Sequence, residues 1–143
     1  MKADLKEQLK QAMKAKDKVR LDTIRSILSE MQYEEMQKSV DELAPNEQLA
    51  IVQRELKKRQ EALTFEEQAN REDAKAQLVA EIAVIEQLLP KQLSVSDLEK
   101  IVSDLKVATP DLSLNVVMKH LKETYAGQYD GKSASDVAKR LLG

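Results

Sequence analysis

One amphipathic stripe that ends at a proline constrains this sequence more than any other feature. Apolar residues recur at helical spacing at positions 74, 78, 82, 85 and 89, and Pro90 follows directly. Proline lacks an amide proton and pushes the preceding residue out of the α region, so forcing it into a helix costs roughly 3 kcal/mol. Asn70 is the predicted N-cap and Glu72 and Asp73 suit a first turn. We therefore predict a helix that stops at Pro90.

New helix-start signals follow this proline. Ser94 and Ser96 precede Asp97 and Glu99, the arrangement that caps helices. Only 3 glycines and 3 prolines interrupt 143 residues, of which 42% are hydrophobic and 34% charged, a composition typical of helices. We predict an all-α protein with an N-terminal bundle of long helices at residues 1–92 and a smaller three-helix domain at residues 93–143.

The ends of the other helices can be predicted from cap residues. Asp17 is expected to cap a second helix that fades near Lys38, and Asn46 to cap a third after Pro45. In the second domain, Ser113 is expected to cap one helix, and Ser133 or Ser135 the last one. Gly127 is expected to end the helix that Ser113 caps, in the left-handed conformation that glycine tolerates.

Charge is unevenly distributed although the net charge is only −2. Residues 1–25 carry eight basic and four acidic side chains, whereas residues 30–47 carry six acids and only Lys38 as a base. The first segment fits either a polyanion-binding face or solvated helix surfaces, and the second fits a face that docks a partner protein. Arg59 falls in register with the apolar stripe of the third helix, so we expect its guanidinium to pair with an acid of a neighbouring helix.

The residue types exclude several kinds of active site. With no cysteine there is no thiol nucleophile, disulfide or cysteine-ligated zinc. The single histidine, His120, is expected to lie exposed beside charged neighbours, and three glycines cannot form a phosphate-binding loop. We predict no catalytic residue, no metal site and no cofactor. No signal peptide or membrane span is recognisable, so a cytoplasmic protein without membrane contact is expected.

The segment from Gly127 to Lys132 is the best candidate for a binding site. Glycines let a backbone approach a ligand, and lysines together with the amides at a helix start can hold a phosphodiester. The alternative is a capped turn between two helices with solvated lysines. The candidate nucleic-acid-binding residues are Lys119, Gly127, Gly131, Lys132, Lys139 and Arg140.

Six short segments in this order resemble the GatB/YqeY family, and a stand-alone YqeY-like protein is the closest likeness. They are residues 14–25 (KAKDKVRLDTIR), 54–60 (RELKKRQ), 71–73 (RED), 88–93 (LLPKQL), 117–119 (VMK) and 127–132 (GQYDGK). The sequence departs from the family where Asn115, Val116 and Gln128 replace glycine and basic residues, which dilutes the positive charge expected there.

The resemblance implies a two-part helical protein related to the tail of GatB, a component of the tRNA-dependent aspartyl/glutamyl amidotransferase in which this tail holds tRNA. It makes Lys119 and Lys132 the expected phosphate contacts. A link to carbon–nitrogen ligases with glutamine as amido donor is implied by family alone, so independent catalysis is not expected. The predicted function is a tRNA-associated module, and the alternative is a helical adaptor that binds a protein partner and no RNA.

Overall fold

Seven α-helices and no strand form the computed structural model, which describes residues 1–143. They are α1 (Lys2–Ala15), α2 (Lys18–Lys38), α3 (Pro45–Ala69), α4 (Glu72–Leu88), α5 (Val95–Ala108), α6 (Leu114–Thr124) and α7 (Gly131–Leu142). The all-α prediction is confirmed. The chain forms two compact units, the N-terminal unit Met1–Leu89 and the C-terminal unit Pro90–Gly143. The predicted border between residues 92 and 93 stays a prediction.

Several helix ends lie where the cap signals predicted them. Asp17 accepts a hydrogen bond from the Arg20 amide at the start of α2, and α2 ends at Lys38. Ahead of Pro90, Leu89 has φ −105° and ψ 153°, the extended conformation that a following proline favours. Ser94 and Asp97 exchange side-chain-to-amide bonds of 3.1 and 3.0 Å at the start of α5, which makes a capping box.

Two predicted caps in the N-terminal unit are wrong. Asn70 does not start α4 but closes α3 in the left-handed conformation (φ 58°), which asparagine tolerates better than most residues, and Arg71 precedes α4. Asn46 lies inside α3, because Pro45 takes the first helical position, where its missing amide proton costs nothing. The Glu47 carboxylate instead accepts from the Ala44 amide at 3.2 Å.

The core of the N-terminal unit is aliphatic. In this unit α1 packs on α2 and α3 on α4, and α2 also contacts both α3 and α4. Ile24, Ile27, Met31, Ile85 and Val52 are fully buried at the centre of this cluster. Their burial follows the 3.6-residue period of each helix, so the apolar stripe of α4 does face a core.

Partly buried ion pairs connect neighbouring helices of the N-terminal unit. The Arg59 guanidinium lies 2.6 Å from Glu55 on its own helix and 3.4 Å from Glu81 on α4, and its side chain is only 12% exposed. This geometry matches the expectation from its register. The Lys2 ammonium contacts both Glu35 oxygens at 2.8 and 2.9 Å, and a 3.3 Å bond joins the Leu43 amide to the same carboxylate.

The C-terminal unit has its own small core. Helix α7 packs on both α5 and α6. The fully buried residues are Leu98, Val102, Val117, Leu121, Ala134 and Ala138, with Val137 nearly so. A unit of this size depends on nearly every one of these contacts, because small domains bury little surface on folding.

None of the seven helices combines the length and the apolar composition that crossing a bilayer requires.

Candidate nucleic-acid interface

Helix α7 begins earlier than the cap signals predicted. Asp130 is its N-cap, and its carboxylate accepts from the Ser133 amide at 3.1 Å and from the Ser133 hydroxyl at 2.9 Å. Neither Ser133 nor Ser135 caps the helix, because the aspartate one turn earlier takes this role. Gly131 and Lys132 therefore belong to the first turn of α7, ahead of the first intrahelical bond from the Ala134 amide to the Asp130 carbonyl.

The short segment before α5 is bonded to the loop before α7. The Gln92 side chain donates to the Gly127 carbonyl at 2.7 Å and to the Pro90 carbonyl at 3.0 Å. One residue on, the Leu93 amide donates to the Gln128 carbonyl at 2.6 Å. These bonds bring together residues 88–93 and 127–132, two of the short segments singled out in the sequence. They fix the approach of the chain to α7 and therefore the position of Lys132.

Gln92 was missed as a site residue by the sequence reasoning. The only feature of the sequence that could have indicated Gln92 is its place in the short segment after Pro90. Nothing in the neighbouring residues indicates a hydrogen bond to a residue 35 positions away. Because both carbonyls of the Gly127–Gln128 stretch point to this segment, the groups left to face a ligand are the first amides of α7 and the lysine side chains.

The two glycines of the loop have different roles. Gly127 has φ 75°, a left-handed conformation that costs glycine less than residues with a Cβ atom, so the turn itself favours glycine. A Cβ atom added to Gly131 would meet nothing within 4 Å. Folding therefore does not explain the second glycine, whereas close approach of a ligand to the first turn of α7 would.

Lys132 and Lys139 share the solvent face of α7. They are seven residues apart, nearly two turns, and both side chains are exposed on the side opposite the buried Ala134 and Val137. Asp136 is exposed between them. Neither lysine forms an ion pair, so both positive charges face solvent without a carboxylate partner.

The other two cations are placed differently. Arg140 donates to Glu99 on α5 at 2.8 Å, with both side chains about half exposed. Lys119 lies on α6, where its ammonium is 4.0 Å from Glu123 and its side chain is 76% exposed. The six candidate residues thus fall into four groups. Gly127 lies in the loop before α7, three residues lie at the start and on the solvent face of α7 (Gly131, Lys132 and Lys139), Arg140 already has a partner, and Lys119 lies on another helix.

The aromatic residues near this site pack against the core. His120 is half-buried rather than exposed as expected, because its ring meets the edge of Tyr125 at a centroid distance of 6.1 Å. Burial raises the pKa of the Tyr129 phenol above its ordinary value of 10.0. The phenol is therefore neutral at physiological pH and adds no negative charge beside Lys132. No group of three or more potential metal ligands is present.

Comparison with known proteins identifies the family. A family model described as Yqey-like protein matches residues 2–142. The chain belongs to the YqeY-like family. A comparison with curated proteins gave no match. The YqeY-like family is related to the tail domain of GatB, so the resemblance found in the six short segments is confirmed over nearly the whole chain.

Proposed function

We propose that this YqeY-like protein is a cytoplasmic, tRNA-associated RNA-binding module without catalysis of its own. The observation that carries the proposal is the set of bonds from Gln92 and Leu93 to the Gly127–Gln128 stretch, which fixes Lys132 at the start of α7. It fits a family related to a domain that holds tRNA. The link to carbon–nitrogen ligases stays at the level of the family, and transamidation is assigned to other parts of such enzymes.

The electrostatics of α7 favour a phosphate at its N-terminal end. The helix dipole places partial positive charge there, and Lys132 adds a full charge in the same turn. The Asp130 carboxylate, which accepts a hydrogen bond from the Ser133 amide, places a negative charge at the same end of the helix and weakens this attraction for phosphate. The amides of Gly131 and Lys132 and the Lys132 ammonium are then the donors, and Lys139 extends the contact two turns along the helix.

Arg140 joins the interface by exchanging partners. Its bond to Glu99 is solvent-exposed, and pairs of this kind contribute about 0–1 kcal/mol. A phosphate can therefore replace the carboxylate at small cost. His120 has no catalytic role in this proposal, because its ring packs against Tyr125.

The test is salt-dependent binding of tRNA to the full-length protein. We expect Lys132→Ala to weaken binding and to reduce the slope of log K against log salt by about 0.7–0.9, the value for one lost phosphate contact. Lys100→Ala is the matched control, since Lys100 is an exposed lysine on α5 without an ion pair. Absence of tRNA binding by the folded wild-type protein at low salt would refute the function, and equal slopes for the two variants would refute the site.

A protein-interaction adaptor is the second candidate, and one observation favours it. Tyr33 and Met36 on α2 are 61% and 71% exposed, and Val40 follows at 44%. The acidic character of residues 30–47 is weaker than the sequence suggested. Three of the six acids pair within the unit, namely Glu34 with Arg54, Glu35 with Lys2 and Glu47 with Lys38. A stable protein partner that survives nuclease treatment and is lost in a Tyr33→Ser, Met36→Ser variant would establish it.

A further inference from the structure

Helix α1 carries a row of lysines that the proposed site does not use. Lys6, Lys10 and Lys14 are exposed, and each is four residues from the next. At 3.6 residues per turn and 1.5 Å rise, successive side chains stand about 6 Å apart along one slowly winding face. We call these three residues the lysine row.

The lysine row keeps its charges although acids lie nearby. None of its members forms an ion pair, whereas Lys2, Lys38, Lys75 and Lys119 all do. Asp4 is held by the Gln8 amide at 2.9 Å, and the Gln8 carbonyl in turn accepts from Arg20 on α2 at 3.2 Å. This chain of bonds keeps the Asp4 carboxylate with Gln8 and away from the row.

Such a row costs stability in the free protein. Like charges at i, i+4 spacing destabilise a helix, and the row contains two such pairs. The acids nearby relieve this repulsion only in part, because Glu35 is bonded to Lys2 and attracts Lys6 from a distance, and exposed Glu7 forms no ion pair with the row. Exposed Lys16 and Lys18 prolong the positive charge into the turn between α1 and α2. A bound polyanion would remove the repulsion.

The shape of the surface distinguishes a nucleic-acid strand from an anionic bilayer. A helix that lies on a membrane inserts an apolar face, but Leu5 and Ala12 are buried in the core of the unit and Leu9 packs against it. What α1 offers to solvent is a line of evenly spaced cations. The phosphates of one RNA strand form a matching line, because they too recur at regular steps of a few ångströms.

We propose that Lys6, Lys10 and Lys14 form a second phosphate-backbone contact for the RNA that this protein binds. The inference rests on the proposed function in one respect, namely that the ligand is RNA. It assigns sequence-independent affinity to the N-terminal unit, since contacts to phosphates position a nucleic acid without reading its bases.

The experiment compares three variants of the full-length protein for binding to unfractionated tRNA over a series of salt concentrations. The first is Lys6→Gln, Lys10→Gln, Lys14→Gln. Its matched control is Lys58→Gln, Lys75→Gln, Lys100→Gln, which removes the same charge from solvent-accessible lysines outside the row and outside the candidate site on α7. The third is Lys132→Ala. Lysine and glutamine have similar helix propensity, so folding is preserved, and circular dichroism checks this.

We expect the salt slope of the row variant to fall by about 2–3, or 0.7–0.9 for each contact, while the control stays near the wild type. If the wild type and Lys132→Ala behave as proposed but the row variant matches its control, the lysine row is refuted and the function stands. If the row variant loses affinity and Lys132→Ala does not, the site on α7 is refuted instead. Binding of the wild type to vesicles with phosphatidylserine, without binding to tRNA, would overturn both.

Discussion

Replacing Leu121 with alanine should strongly destabilise the C-terminal unit and leave the stability of the N-terminal unit unchanged. Leu121 is fully buried on α6, and it is one of seven residues in the only hydrophobic cluster of its unit. The N-terminal unit has a separate cluster. A cavity at Leu121 therefore removes contacts from one core alone.

The expected loss is a large part of what holds this unit together. Leucine-to-alanine substitutions at fully buried sites cost about 2.7–5 kcal/mol, the upper end applying where neighbours cannot collapse into the cavity. A unit the size of Pro90–Gly143, at about 0.05–0.15 kcal/mol per residue, has a free energy of unfolding of only about 3–8 kcal/mol. We expect a loss of about 3–4 kcal/mol, which is at least about 40% of this free energy of unfolding.

Hydrogen exchange measured by mass spectrometry can follow each unit separately. Since every 1.4 kcal/mol is a factor of ten, amides in α5, α6 and α7 should exchange about 100–1000 times faster, while those in α2 and α4 keep wild-type rates. Val107→Ala is the control, because Val107 lies in the same unit with its side chain 91% exposed and should change little. Equal loss of protection in both units would refute the idea of separate cores, and an effect as small as that of the control would refute the burial argument.

Three further outcomes are expected. Gly131→Ala should leave the free energy of unfolding unchanged or raise it by up to about 1 kcal/mol, because a Cβ atom at this position meets nothing within 4 Å. The same substitution should lower the affinity for tRNA. Unchanged affinity in a titration would show that no ligand approaches this backbone. Thr23→Val should raise the free energy of unfolding by about 1 kcal/mol in urea denaturation, because the buried Thr23 hydroxyl has no hydrogen-bond partner, and a decrease would contradict this. The bond from Lys2 holds the pKa of Glu35 below its ordinary value of 4.5, so the ionised carboxylate stabilises the fold above pH 4.5 and this stability is lost as the pH falls through the lower folded-state pKa. In acid titrations followed by circular dichroism, the stability of Glu35→Gln should therefore depend less steeply on pH than that of the wild type. Identical curves would rule this contribution out.

Helix ends show how far local sequence can predict this fold. Asp17, Ser94 and Ser113 cap helices as expected, because a side chain bonded to an amide three residues on requires no information from elsewhere in the chain. Asn70 and Ser133 were assigned wrongly for the same local reason. Each has a neighbour that can cap the helix equally well or better, and the packing of the helices decides which residue becomes the cap.

The sequence by itself determined that this protein is all-helical, with a break at Pro90 and aliphatic cores, because helical periodicity and proline act within a few residues. It also contained the YqeY-like segments. Only the tertiary structure decided that Gln92 holds the loop before α7, that Arg140 already pairs with Glu99, and that Lys6, Lys10 and Lys14 of α1 form no ion pair whereas Lys2 pairs with Glu35. Those outcomes depend on which side chains distant in sequence meet when the helices pack, and the period of a single helix says nothing about its neighbours.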